Sequence, residues 1–136
     1  MRRIIQQSIV LPAPAERLFE MYLDPNDHAA FTGFPVAIGC EPGVPFRAFN
    51  DQLSGRILAV VRPRLIVQSW RSVKFNDADP DSTLVLAFTP ESADLGRGRI
   101  DLIHVDVPEH DFGGVTEGWQ KHYWGPWRSY LEKHST

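Results

Sequence analysis

Residues 116–134 read TEGWQKHYWGPWRSYLEKH, and the architecture predicted for the rest of the chain depends on this stretch. Its large apolar side chains recur at steps of three or four residues, at Trp119, Tyr123, Trp127, Tyr130 and Leu131. This spacing places them on one face of a helix. Two glycines precede the stretch, and Thr116 is a residue type that caps helix N-termini. We therefore predict a helix from Thr116 to His134 with an aromatic face.

Pro126 interrupts this helical pattern. Proline lacks the amide hydrogen that would bond to residue 122, and its ring collides with the carbonyl group of that residue. We therefore predict a bend or bulge between about His122 and Trp127. Gly125 eases the distortion because it adds no side chain to the irregular turn.

The first part of the chain predicts one strand and two short helices. Residues 3–11 carry isoleucine and valine around a polar centre, which is typical of a strand, and Pro12 ends it. Residues 14–23 begin with proline and place apolar side chains on one face, which indicates a short amphipathic helix. Asp24 follows at a position suited to cap a second short helix that extends to about Phe31.

The middle of the chain is a series of short strand-like segments separated by turn residues. The segments comprise residues 46–49, 55–62, 64–71, 82–89 and 99–107. An antiparallel sheet with one solvated face must bury the other, and only the C-terminal helix is large enough to cover it. We therefore predict an α+β fold in which a curved antiparallel sheet of about six or seven strands wraps around the long C-terminal helix, with two short helices after strand one.

Length and composition limit the class of protein. The chain has 136 residues, of which 43% are hydrophobic, and this predicts one domain that spans residues 1–136. The net charge of -3 argues against nucleic-acid binding, since phosphate recognition needs clustered cations. No run approaches the roughly 20 apolar residues of a membrane span, and the first residues do not form a signal peptide. We expect no membrane association and a cytoplasmic location, and the single cysteine, Cys40, excludes an intrachain disulfide.

Several stretches resemble one family of helix-grip proteins. Residues 9–19, IVLPAPAERLF, resemble its first strand, turn and helix, and residues 55–66, GRILAVVRPRLI, resemble its strand, proline turn and strand. Residues 82–90 and 100–104 are similar to its last hairpin, and Glu117-Gly118-Trp119 is similar to the opening of its last helix. The family is the START-like branch named after the C-terminal domain of the activator of the Hsp90 ATPase, in the Bet v 1-like (SRPBCC) superfamily.

This resemblance implies a helix-grip fold and three candidate functions. The first is binding of a hydrophobic or aromatic small molecule in the cavity between the sheet and the C-terminal helix. The second is an enzyme of the cyclase or hydrolase type, which other branches of the superfamily contain. The third is a co-chaperone that contacts Hsp90 through the exposed face of the sheet.

The expected ligand-binding residues are mostly aromatic, because rings on both helix and sheet are what lines an apolar pocket. They are Phe31, Phe46, Trp70, Phe88, His104, Trp119 and Tyr123. For the enzyme alternative, His104 is the candidate acid or base and Tyr123 the candidate donor. Strand alternation places His104 on the same face as Ile100 and Leu102. A histidine that is only hydrogen-bonded at the end of the pocket is the other interpretation of His104.

Two clusters of metal-ligand residue types have spacings that argue against a metal site. His104, Asp106, Glu109, His110 and Asp111 lie within eight residues, but Pro108 breaks the strand geometry, and the spacing is no established zinc pattern. The acidic connector of residues 76–81 lacks the glycine-pivoted spacing of a calcium loop. We expect no metal and no cofactor, and the sequence indicates no particular oligomeric state.

Overall fold

The computed structural model describes residues 2–91 and 93–134, and these form one antiparallel sheet and a set of helices on its concave side. The strands are β1 Arg2–Leu11, β2 Val36–Ala37, β3 Pro45–Ala48, β4 Leu53–Val61, β5 Leu65–Ser72, β6 Ser82–Glu91 and β7 Asp94–Pro108. The helices are α1 Ala15–Leu23, α2 Pro25–Thr32, a 3-10 turn Glu109–Asp111, α3 Phe112–Trp119, a π-helical segment Gln120–Trp124 and α4 Gly125–Lys133.

The seven described strands have the order β1-β7-β6-β5-β4-β3-β2, so each strand from β2 to β7 pairs with its neighbours in sequence. The first strand returns to pair with the last, which brings the start of the chain next to the C-terminal helix. The predicted fold class is confirmed: a curved antiparallel sheet, two short helices after the first strand and a long C-terminal helix.

The inner face of the sheet forms from alternating residues whose register the strand pairing sets. One row runs across five strands and consists of Ile57, Gln68, Leu84, His104 and Ile5. All five side chains are buried. His104 therefore faces inward, as its predicted position in the cavity between sheet and helix requires. Two of the five side chains in this row, Gln68 and His104, are polar.

The two short helices cover one end of this inner face. Gly98 on β7 allows the close approach of α1, because a Cβ atom there would lie 2.7 Å from Leu18 Cδ1 and 2.8 Å from the Ala15 backbone. The Asp24 carboxylate accepts hydrogen bonds from the amides of residues 26 and 27 at 2.8 and 3.1 Å, which confirms it as the N-cap of α2. Gly33 ends that helix in the left-handed conformation, with φ 85°.

The C-terminal helix begins earlier than predicted, at the 3-10 turn and Phe112. Thr116 is not the N-cap: it lies inside α3, and its hydroxyl donates to the Phe112 carbonyl at 2.7 Å. The two glycines that suggested a start are part of the first helical turn. Each glycine destabilises a helix by about 1 kcal/mol relative to alanine. Burial of the Val115 side chain in the same turn offsets this loss.

The irregularity predicted between about His122 and Trp127 is present as a π-helical segment, but it lies slightly earlier, at Gln120–Trp124. Gly125 N–H donates to the Gln120 carbonyl five residues earlier. This wider turn adds one residue to the inner face, so Tyr123 and Trp124 are both buried. In a regular helix Trp124 would lie about 140° around the axis from Trp119.

Candidate ligand-binding groove

A groove of about 270 Å³ lies between the first half of the C-terminal helix, the β3–β4 turn and the end of β5. The helix contributes Gly114, Val115, Gly118, Trp119, His122 and Tyr123. The remaining lining residues are Phe34, Phe49, Asn50, Gln52, Leu53, Trp70, Ser72, Lys74 and Asp111. Five of these lining residues carry a Phe, Trp or Tyr ring. The exposed polar lining residues Asn50, Gln52, Lys74 and His122 are called the mouth of the groove below.

Three of the seven residues expected in the site line this groove, namely Trp70, Trp119 and Tyr123. The other four are packed into the core behind it and are not among the lining residues. Phe88 meets Phe19 edge-to-face at 5.5 Å between ring centroids, and Phe31 stacks on Trp127 at 4.1 Å. The α1 and α2 helices cover this region, so the rings that lie beneath them fill space instead of bordering it.

The β3–β4 turn supplies lining residues that the sequence did not indicate. Phe49, Asn50 and Asp51 all have positive φ, at 54°, 56° and 65°. That conformation is uncommon for residues other than glycine, and for a bulky ring it marks a strained backbone. It places the Phe49 ring 5.4 Å from His122 and 5.8 Å from Tyr123. The Asn50-Asp51 pair was the available signal, since these residue types tolerate left-handed backbone.

His104 has a hydrogen bond at each ring nitrogen. Trp119 Nε1–H donates to His104 Nδ1 at 3.2 Å, so Nδ1 carries no proton. His104 Nε2 must then be the protonated nitrogen and donates to Ser82 Oγ at 2.8 Å. The Ser82 hydroxyl in turn donates a hydrogen bond to the Trp70 carbonyl at 2.7 Å.

This chain of hydrogen bonds requires a neutral imidazole. Burial lowers the pKa of His104 to about 3. A group with no free nitrogen and with such a low pKa is poorly suited to exchange protons with a bound molecule near neutral pH. The structure favours the interpretation of His104 as a hydrogen-bonded residue that orients Trp119 in the groove wall.

His28 forms a second buried histidine site that sequence reasoning missed. His28 Nδ1 lies 2.7 Å from the Tyr22 carbonyl and must donate to it, so Nε2 accepts from the Tyr123 hydroxyl at 2.8 Å. Burial lowers the pKa of His28 to about 4, and burial raises the pKa of Tyr123. Tyr123 lines the groove, and its hydroxyl hydrogen points toward His28 and away from the groove.

The mouth of the groove carries exposed cations. Partial burial lowers the pKa of His122, and the charges of Lys121 and Lys74 lower it further. Next to the mouth, the acidic connector is tied to the 3-10 turn, because His110 Nε2 lies 3.0 Å from Asp79 Oδ2. The hydrogen bond from His110 lowers the pKa of Asp79. Within residues 2–91 and 93–134, no group of three or more His, Cys, Asp or Glu side chains could hold a metal ion.

The chain matches one known protein family over most of its length. Residues 12–132 match the family described as Activator of Hsp90 ATPase homolog 1-like protein. The chain belongs to this family. The match covers both short helices, six of the seven described strands in full and nearly all of the C-terminal helix, so it includes every lining residue of the groove.

Solved structures share the fold of this Activator of Hsp90 ATPase homolog 1-like chain. An HSP90 activator from Plasmodium falciparum is 22% identical, with a TM-score of 0.80 over 95% of this chain and 96% of that one. A protein from Mesorhizobium loti is 16% identical, with a TM-score of 0.82 over 98% of this chain and 100% of that one. Ara h 8.0201 is 9% identical, with a TM-score of 0.74 over 98% and 100% of the two chains.

One relative in sequence is an uncharacterized protein, C1711.08, of Schizosaccharomyces pombe. It is 31% identical over 67 residues, which is 49% of this chain and 20% of the relative. The matched segment therefore spans a fifth of that protein's length. Among the described residues of the present chain, no helix is both long and apolar enough to cross a membrane.

Proposed function

We propose that the groove binds a hydrophobic or aromatic small molecule without changing it. The observation that carries the proposal is the set of aromatic rings on facing walls: Trp119 and Tyr123 on the helix, Trp70 on the sheet and Phe49 on the strained turn. Backbone strain of this kind costs about 1–3 kcal/mol per residue and is found mainly at functional sites. The groove volume is near the lower end of the roughly 300–1,000 Å³ typical of ligand pockets. The expected ligand is accordingly small, with one or two rings.

The first experiment is native mass spectrometry of protein purified from its own host, which would reveal a retained small molecule. The second is titration with the neutral fluorescent probe N-phenyl-1-naphthylamine. Gly118 lines the groove, and a Cβ atom there would meet only a ring carbon of His122, at 3.9 Å. We expect Gly118→Leu to fill the groove and to weaken probe binding at least about tenfold.

Gly113→Leu is the matched control for this variant. Gly113 lies on the same helix and is exposed, and a Cβ atom there would meet nothing within 4 Å beyond its local neighbours. It does not line the groove. We expect this variant to bind the probe as the wild type does. Equal probe affinity in Gly118→Leu and Gly113→Leu would contradict the proposal.

A second candidate function is contact with Hsp90, and the family match favours it. The outer face of the sheet carries a row of apolar residues across four strands: Ile103, Val85, Val67 and Ala59. Ile103 is 39% exposed. We propose this outer face as the contact surface, which requires that the protein and the chaperone share the cytoplasm.

A pull-down with Hsp90 at physiological salt tests this second proposal. We expect capture by the wild type and at least a fivefold loss with Ile103→Arg, on the order of 1 kcal/mol in binding free energy. Leu95→Arg is the control, since Leu95 is 75% exposed and lies near the hairpin end of β7. No capture by the wild type would remove the proposal. The cyclase or hydrolase alternative is not favoured, because both nitrogens of His104 are occupied.

A further inference from the structure

Among the described residues that line the groove, Asp111 is the only acidic one. Its residue surface is only 9% exposed. It forms no hydrogen bond or ion pair with any residue of the described parts of the chain. Although Asp111 occupies the N-cap position of α3, its side chain makes no capping hydrogen bond. The residue is therefore largely buried, and its carboxylate has no protein partner among the described residues and keeps contact with the open volume of the groove.

A carboxylate in this position is hydrated only from the groove side. It loses part of its solvation energy, and hydrogen bonds or an opposite charge from a ligand can replace that loss. The positive end of the α3 dipole supplies part of this compensation. Asp111 Oδ1 lies over the first turn of the helix, where a Cβ atom on Gly114 would be 2.9 Å from it. Glycine at position 114 leaves room for this oxygen, but no donor in the described chain bonds to it.

We propose that Asp111 binds the ammonium group, or another nitrogen donor, of a ligand whose aromatic or apolar body lies against Trp70 and Trp119. This inference rests on the proposed ligand-binding function and names the chemical class of the ligand. An amine would supply the missing donor, and the facing aromatic rings would favour its positive charge through cation–π attraction. The combination of aromatic walls and a carboxylate without a protein partner in the described parts of the chain suits an arylalkyl ammonium ligand better than a neutral hydrocarbon.

The cations at the mouth do not outweigh this preference. Lys74 lines the groove but is exposed, and it forms no ion pair with Asp111 within 4.0 Å. Exposed charges are screened by salt over about 8 Å at physiological ionic strength, whereas a charge in a less polar environment is screened less. The lowered pKa of His122 leaves that side chain mainly uncharged at neutral pH. An anionic ligand would also bring its charge close to the Asp111 carboxylate.

The test uses three probes with the same ring system: 2-(1-naphthyl)ethylamine, 3-(1-naphthyl)propionate and the neutral 2-(1-naphthyl)ethanol. Isothermal titration calorimetry at 150 mM salt measures the affinity of each for the wild-type chain. We expect the amine to bind at least about tenfold more tightly than the propionate. Asp111→Asn should weaken amine binding by about tenfold and leave ethanol-probe binding unchanged.

Asp51→Asn is the matched control, because Asp51 is an exposed acidic residue in the adjacent β3–β4 turn and does not line the groove. It should leave the affinities of all three probes unchanged. Tighter binding of the propionate than the amine, or an equal loss of amine affinity in both variants, would overturn the proposal. If the neutral probe binds without any preference for the amine, this inference fails while the proposed function holds. If no probe binds, both fail. The wild-type series decides the question even if Asp111→Asn does not fold.

Discussion

Trp127 and Trp119 lie on the same helix and are both buried, yet the space around them differs. Trp127 is fully buried against Phe31 of α2, with the two rings parallel within 3°. Trp119 is also covered on one side, by His104 and Trp70, but its other side borders the groove. Below, the half of the helix that contains Trp127 is called the closed end, and the half that contains Trp119 is called the open end.

The difference between the two ends comes from what covers each one, since both carry aromatic side chains. At the closed end, α2 packs against α4 and its side chains fill the space between helix and sheet. At the open end, the covering element is the β3–β4 turn, whose Phe49 ring reaches the helix only at its edge, 5.4 Å from His122. Whether an aromatic helix face is packed into the core or borders a groove therefore depends on the element that packs against it.

The largest expected effect is that of removing the Trp127 ring at the closed end. Trp127→Ala should lower the free energy of unfolding by roughly 3–5 kcal/mol, because it leaves a large cavity among packed rings. Phe34→Ala at the rim of the open end should cost less than about 1 kcal/mol, since Phe34 is 41% exposed. Urea denaturation of both variants measures these losses. Equal losses would show that the two ends are equally well packed.

A change of pH should act on both ends, because one buried histidine lies at each. His28 stacks on Phe31 at the closed end, and His104 bonds to Trp119 at the open end. Their folded-state pKa values are about 4 and about 3, below the ordinary 6.5. Between these values and pH 6.5 the unfolded chain binds protons that the folded chain does not, so stability falls as pH falls.

The expected loss approaches about 1.4 kcal/mol per pH unit for each histidine well below pH 6.5, and the two together give about 2 kcal/mol between pH 6.5 and 5.5. Urea denaturation at a series of pH values measures this slope. His104→Gln should reduce the slope by about half, and the variant should be less stable than the wild type near neutral pH, where the lost hydrogen bonds are not offset. His134→Gln is the control, since His134 is exposed, and its slope should match that of the wild type. A wild-type slope near zero would show that neither histidine titrates as described.

A smaller difference in the free energy of unfolding is expected between variants of Trp124 and Trp70, because their indole N–H groups differ in hydrogen bonding. Trp124 Nε1–H donates to Gln7 Oε1 at 2.7 Å, whereas Trp70 Nε1 has no partner among the described residues. Trp124→Phe should therefore cost about 1 kcal/mol more than Trp70→Phe, since only the first change breaks a hydrogen bond. Thermal or urea denaturation compares the two variants. A larger loss in Trp70→Phe would indicate that its indole N–H has a partner.

The smallest expected effect concerns two glycines at the open end. Gly118→Ala should raise the free energy of unfolding by about 0.5–1 kcal/mol, because alanine favours the helix and its Cβ meets nothing closer than 3.9 Å. Gly114→Ala should show no such gain, since its Cβ would crowd the Asp111 carboxylate at 2.9 Å. Calorimetric melting of both variants tests the difference. Equal gains in the free energy of unfolding would mean that the Asp111 side chain can move away from the added methyl group without cost.

Much of this architecture follows from local sequence patterns. Alternation along the last strand correctly placed His104 inside, and the identity of Asp24 correctly predicted the cap of α2. Pro126 correctly predicted an irregular turn, because a missing amide hydrogen and a steric clash act within one helical turn. The start of the C-terminal helix was misplaced at Thr116, since glycine propensity is weak beside the burial of neighbouring side chains.

The extent of the groove could not be predicted from local sequence patterns. Of the expected ligand-binding residues, Phe31, Phe46, Phe88 and His104 are buried and do not line it. Phe88 packs against Phe19 of α1, Phe31 of α2 packs against Trp127, and His104 packs against Trp119, and all of these contacts join segments distant in the chain. No local pattern distinguishes a ring that fills the core from one that borders a cavity.

The order of the elements, the inward face of each strand and the aromatic face of the last helix follow from the amino-acid sequence alone, because they depend on periodicity and turn chemistry within a few residues. Three features follow only from the folded structure: which aromatic rings border open space, the inward position of Trp124 after the π-helical segment, and the place of the Asp111 carboxylate in the groove lining without a partner among the described residues. These features arise where segments far apart in the chain meet, and the space left between them depends on packing that no single segment encodes.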